Sequence, residues 1–103
     1  MILLVCTTCP SRKVARQLAD KIVSERLAAC AQVGSKIDST YLWKGKKAHA
    51  QEVPLSFKTT RKRLSQLQRV LTQNHPYEVP ELVVIKVQSG LPAYLKWVAQ
   101  CLA

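Results

Sequence analysis

Two stretches of this chain carry residue types at spacings that chemistry uses. Cys6-Thr7-Thr8-Cys9-Pro10 has the two-residue gap of a redox pair. A thiol near a helix N-terminus has its thiolate stabilised by free amides and the helix dipole, which makes it a nucleophile. The second stretch, Asn74-His75-Pro76-Tyr77-Glu78-Val79-Pro80-Glu81, holds one of the two histidines and two of the five prolines. Prolines fix φ and remove amide donors, so His75, Tyr77 and Glu81 are presented from few backbone conformations. His75 suits a metal ligand, a general base or a polar loop residue. Glu81 is placed to orient it, and Lys58 to neutralise Glu81 or an anionic ligand. By ligand softness, imidazole and thiolate suit copper or zinc, so the metal candidates are His75, Glu81, Cys6 and Cys9.

Other reaction classes find no support. Cys30, His49, His75 and Cys101 are scattered singles rather than the paired ligands of a zinc knuckle. There is neither a glycine-rich phosphate loop nor a serine nucleophile elbow. A thiol oxidoreductase using Cys6 and Cys9 is the enzymatic alternative, but Cys6 falls inside an apolar run rather than at a helix start. The expectation is a binding module without catalysis.

The elements that must position these residues follow from periodicity. Ile2 to Cys6 is a continuous apolar run, expected as a central strand, followed by a loop over Thr7 to Ser11 with Ser11 as a helix cap. From Arg12 the residues Val14, Leu18 and Ile22 recur at helical spacing, with the helix ending near Arg26 or Leu27. Ala28 to Trp43 reads as one long strand interrupted at Gly34, with Ile37, Ser39, Tyr41 and Trp43 alternating. After a turn at 44–47, Val53, Leu55 and Phe57 alternate in the returning strand, where Pro54 requires an edge position or a bulge. Thr60 caps a second helix with Leu64, Leu67 and Leu71 on its apolar face. Leu82 to Val87 is a strand, and a short terminal helix carries Leu95, Val98 and Leu102. This order predicts an α+β fold, a ferredoxin-like βαββαβ sandwich with an extended β-hairpin and a short C-terminal helix, in one domain over residues 1–103. The hairpin is longer than the domain's own core requires, so part of it reaches a neighbouring subunit.

Composition bounds the partners. The 103 residues are 48% hydrophobic and carry a formal net charge of +10, a bias toward anionic small molecules or phosphates. The basic residues are spread along the chain, so nucleic acid is not the expected partner. The apolar N-terminus is too short for a signal peptide or membrane span, and four cysteines without a secretory signal are read as thiols of a cytoplasmic protein.

Five blocks together resemble one family. Arg26-Leu27-Ala28-Ala29-Cys30-Ala31, Tyr41-Leu42-Trp43-Lys44-Gly45-Lys46, Phe57-Lys58-Thr59-Thr60, His75-Pro76-Tyr77-Glu78-Val79-Pro80-Glu81-Leu82 and Tyr94-Leu95-Lys96-Trp97 are similar to the CutA family of divalent-cation tolerance proteins. The resemblance implies a ferredoxin-like homotrimer with exchanged hairpins, a cytoplasmic location and tolerance to copper or another divalent cation without a required cofactor. Within such a trimer, the convergence of polar and aromatic motif residues leads us to expect an intersubunit ligand cleft built from Cys30, Tyr41, Trp43, Lys58, Thr59, His75, Tyr77 and Glu81. The trimer resembles nucleotide-responsive PII signalling proteins, so a small-ligand sensor is the alternative. Copper binding in the family is attributed to a cysteine three residues before the first-loop proline and to a histidine pair; here those positions hold Thr7 and Asn74-His75.

Overall fold

The computed structural model describes all 103 residues, Met1–Ala103. The elements in chain order are β1 (Ile2–Cys9), α1 (Arg12–Ser24), β2 (Cys30–Val33), β3 (Ile37–Trp43), β4 (Lys46–Thr60), α2 (Arg61–Asn74), β5 (Val83–Lys86) and α3 (Pro92–Cys101). Every strand pairing is antiparallel. The sheet order is β2-β4-β1-β5, with β3 also on β4. The result is an α+β fold of five strands and three helices.

β1 is longer than its apolar run. The loop expected from Thr7 is strand, because Thr7, Thr8 and Cys9 pair with Leu55, Pro54 and Val53 of β4. Ser11 then caps α1 as expected, its Oγ accepting the Val14 N–H at 3.2 Å. α1 ends at Ser24, ahead of its apolar period, because Arg26 turns left-handed at φ 58°. The Arg26 N–H donates to the Val23 carbonyl and the Leu27 N–H to the Ile22 carbonyl, both at 3.0 Å. This is a Schellman stop with buried Leu27 and Ile22 as its apolar pair. Thr60 occupies the cap position of α2, but its hydroxyl makes no capping bond and is buried without a partner.

The single interrupted strand expected from Ala28 to Trp43 is two strands, β2 and β3, separated by a bulge. Between the pairs Val33↔Leu55 and Ile37↔Glu52, residues 34–36 face only Val53 and Pro54. Pro54 lies on an inner strand, so the edge alternative is excluded and the bulge is the solution. The Gly34 N–H donates to the Pro54 carbonyl at 2.9 Å, so the missing Pro54 amide faces this opened stretch of ladder. A Cβ at Gly34 would stand 2.7 Å from Pro54 Cγ, which is why glycine sits there.

Alternation along β1 and β4 separates two faces. Val5 and Cys9 with Val53, Leu55 and Phe57 are buried beneath α1 and α2, which contribute Ala15, Leu18, Ile22, Leu67 and Leu71. On the opposite face α3 covers only the Ile2 end, through Val98 and Leu102. The remainder of that face carries no helix. Beyond Val53, β4 has β3 as its sole partner, giving a two-stranded arm closed by Lys44 and Gly45 at φ 51° and 78°, the conformation of a type I′ turn. The radius of gyration is 14.2 Å, against roughly 13 Å for a compact chain of this size.

Candidate functional site

The site begins where α2 stops. A residue before proline is driven out of the helical region, and His75 is extended at φ −82°, ψ 137°. This folds its ring inward, to 7% exposure. Nδ1 accepts the Tyr77 N–H at 3.1 Å, so Nε2 carries the proton and donates to the Thr8 carbonyl at 2.8 Å. His75 therefore ties the loop to β1. Tyr77 stacks against it with ring centroids 4.8 Å apart, and its hydroxyl donates to Glu52 Oε2 at 3.2 Å, at the root of the arm. Burial, and then the Glu52 carboxylate, push the Tyr77 phenol up to about 12.

A cavity of about 600 Å³ lies between this loop and the arm. The period-two pattern of β3 sets one wall: Ser39, Tyr41 and Trp43 share a face, and the register places Glu52 on the same face further down β4. Tyr77, Glu78, Val79 and Glu81 form the opposite wall, with Thr8 from β1. The chain's six acids are Asp20, Glu25, Asp38, Glu52, Glu78 and Glu81. Three of them line this cavity, and no lysine or arginine does. The local charge is thus opposite in sign to the chain's +10.

The expected cleft residues divide within one chain. Tyr41, Trp43, Tyr77 and Glu81 line the cavity, and His75 braces its Tyr77 wall. Lys58 does not line the cavity; it stands near Cys6 on the open face, its Nζ donating to Gln32 Oε1. Thr59 is fully buried and donates to the Leu27 carbonyl at 2.6 Å. Cys30 lies 3.6 Å from the Tyr94 hydroxyl, under α3. Glu52, Glu78 and Thr8 line the cavity without having been among the expected site residues. Glu78 lies within the His75 motif, but no local signal marks the other two, because Glu52 joins the wall through strand register and Thr8 through the unforeseen length of β1.

The redox reading of the cysteines is overturned by geometry. Three residues along a strand separate Cα atoms by roughly 10 Å, beyond the ~7 Å limit for a disulfide. Cys9 points into the core at 0% exposure and Cys6 to the open face. All four cysteines are free. Burial raises both thiols; at Cys6 Glu81 adds to the effect and Lys58 opposes it without reversing it, and at Cys9, which reaches about 11, Glu52 adds to it. Neither is an activated nucleophile.

The expected metal set does not fit a metal within one chain. No three His, Cys, Asp or Glu side chains converge as ligands. Both His75 nitrogens are occupied by hydrogen bonds, and Cys6 and Cys9 face opposite ways.

Comparison with known proteins adds to this geometry. Residues 3–101 match the family model of CutA1 divalent ion tolerance protein. The chain is 42% identical over 93 residues to Protein CutA of Mus musculus, covering 90% of this chain and 52% of the mouse protein; it thus spans about half the length of that relative. It is 38% identical over 96 residues to the divalent-cation tolerance protein CutA of Thermus thermophilus, covering 93% of each. A solved structure of a divalent cation tolerance protein from Thermus thermophilus superposes with a TM-score of 0.92 at 39% identity, over 95% of both chains. The structure described as the periplasmic divalent cation tolerance protein CutA of Archaeoglobus fulgidus gives a TM-score of 0.95 at 26% identity, over 100% of both. On the match across nearly its whole length, the chain belongs to the CutA1 divalent ion tolerance protein family.

Proposed function

We propose that this chain is a non-enzymatic binding module in divalent-metal tolerance, assembled as a homotrimer, with a small ligand held in the cavity beside the His75 loop. The observation that carries the reading is the uncovered sheet face and arm. Ile37, Tyr41, Trp43, Val83, Ile85 and Trp97 are each at least 41% exposed, while only 19 of 103 residues are buried. Monomers rarely leave so much large apolar surface bare, and an isolated two-stranded ribbon is marginal in water. A second and third copy would cover both. Counting β3 as the continuation of β2, the sheet order fits a ferredoxin-like βαββαβ arrangement.

The family name supports tolerance to a divalent cation, and among such cations copper is the one we propose. Since no three donors meet within one chain, direct coordination would draw ligands from more than one subunit. A PII-like signalling trimer is the second reading, favoured by a cavity of about 600 Å³, far larger than one metal ion occupies. We place the protein in the cytoplasm. No helix is long and apolar enough to cross a membrane, and the A. fulgidus relative is described as periplasmic, so cell fractionation decides this part.

Sedimentation velocity at micromolar concentration should give three times the 11.5 kDa chain mass; a monomer would overturn the assembly. Calorimetric titration with Cu²⁺ and Zn²⁺ should separate the parent from His75→Ala, Glu81→Gln, Cys6→Ser and Cys9→Ser. Equal affinity in a variant removes that residue as a ligand.

A further inference from the structure

We propose that the outer face of α1 and α2 docks double-stranded DNA through its phosphate backbone, an activity apart from the cavity beside the His75 loop. Dispersion along the chain argued against a nucleic-acid partner, but the fold gathers nine of the sixteen Lys and Arg onto α1, its stop at Arg26, and α2. Only two of the six acids, Asp20 and Glu25, accompany them, and α2 has none. All six arginines are in this layer, whereas the arm, the strands and α3 carry only lysines. Lys13 and Arg16 on α1, with Lys62 and Arg69 on α2, stand exposed at helical spacings opposite the buried Ala15, Leu18, Leu67 and Leu71, so they point away from the sheet. The end of α2 joins the two helices into one surface, Asn74 and Pro76 lying beside Val14, Gln17 and Lys21. This surface is opposite the sheet face and arm that neighbouring copies would cover, so that assembly leaves it in solvent.

Helix stability does not account for these charges. Arg12 and Lys13 begin α1, and Arg61, Lys62 and Arg63 begin α2, with no acid in either first turn. Cations are unfavourable at a helix N-terminus, where an anion is favoured. The chain's one salt bridge joins Lys21 to Glu25, so the other cations of the face have no carboxylate partner. Arg63 turns inward to the Leu102 and Ala103 carbonyls, at 3.3 and 3.4 Å, while Lys13, Arg16, Lys62 and Arg69 remain for a ligand.

The rest of the face selects the polyanion. Arginine forks match phosphate oxygens bidentately. Gln17, Ser65, Gln66 and Gln73, exposed among them, are neutral donors of the kind that contact the nucleic-acid backbone. No tyrosine or tryptophan lies on α1 or α2, so unpaired bases find no stacking platform. Membrane-surface helices and protein interfaces bury aromatic or aliphatic anchors; the one large apolar side chain exposed on these helices is Val23. The evenly charged backbone of a duplex needs no such anchor.

The test uses the protein as it assembles and a DNA duplex of mixed sequence. Binding should be saturable and should weaken about a hundredfold between about 50 and 200 mM salt, as about four phosphate contacts require. Lys13→Gln/Arg16→Gln/Lys62→Gln/Arg69→Gln should lower the slope of log affinity against log salt by about three to four, with sedimentation unchanged. Lys36→Gln/Lys44→Gln/Lys47→Gln/Lys96→Gln removes the same charge elsewhere and should keep most of the slope. Equal losses in the two variants overturn the assignment to this face; no saturable binding, or binding indifferent to salt, overturns the proposal. Acetylation footprinting of the parent with and without duplex needs no variant: Lys13 and Lys62 should be protected and Lys36 and Lys44 left reactive, and the reverse pattern overturns it. Vesicles of phosphatidylcholine and phosphatidylserine, and polyglutamate, stand for the other polyanions. Saturable binding of either without binding of the duplex overturns the DNA assignment.

Discussion

Tyr77 joins three features that lie far apart in the chain: the His75 latch, the Glu52 carboxylate at the root of the arm and the aromatic wall of the cavity. The HPYEVPE stretch reads as a stiffened loop, and His75 and Tyr77 are held in place by hydrogen bonds to Thr8 and Glu52. What it did not announce is that His75 spends both nitrogens on backbone groups, leaving the chemistry of the cavity to carboxylates and rings. The half-buried phenol has a measurable consequence. Its folded pKa is raised from an ordinary value of 10.0 to about 12, so above about pH 10 the unfolded chain loses this proton while the folded chain keeps it. The stability it contributes is therefore whole below about pH 10 and lost as pH rises toward 12. Tyr77→Phe should cost about 1 kcal/mol near neutrality through the lost hydrogen bond, and the gap to the parent should narrow across that alkaline window. Urea unfolding along a pH series checks this; parallel curves would refute it.

At the scale of elements, the decisive device is the bulge that lets a proline sit on an inner strand. Gly34 and Pro54 are twenty residues apart in sequence, and each was legible alone as a break signal. Their juxtaposition, so close that a Cβ on Gly34 would stand 2.7 Å from Pro54 Cγ, was not, because it depends on the register between β2 and β4. Gly34→Ala should destabilise the protein by about 1–3 kcal/mol through overpacking. Pro54→Ala removes the opposing ring, so the pair Gly34→Ala/Pro54→Ala should recover most of that loss, a positive coupling in a double-mutant cycle. Additive losses would mean that the contact is not the cause. The same dependence on pairing explains Cys6 and Cys9. Their spacing reads as a redox pair only if a helix begins between them; once β4 extends β1 to Cys9, the strand's period of two sends them to opposite faces.

At the scale of the whole molecule, the balance of burial argues for company. The main core is confined to the face under α1 and α2, and the opposite face leaves Val83 and Ile85 of β5 at 47% and 51% exposure. In an isolated chain Ile85→Lys would be a surface change, costing within about 0.5 kcal/mol. If three copies meet on that face, the same change should dissociate them, visible as a concentration-dependent shift to monomer in sedimentation velocity while the far-UV spectrum is kept. An unaltered trimer would exclude this face as the interface. The sequence by itself determined the order and kind of the elements, the stiff His75 loop and the family, because periodicity, prolines and short motifs are local properties of the chain. Only the tertiary structure decided which residues share the cavity and what charge it holds. Strand register is a non-local choice, and a net charge of +10 carries no information about where three carboxylates come together.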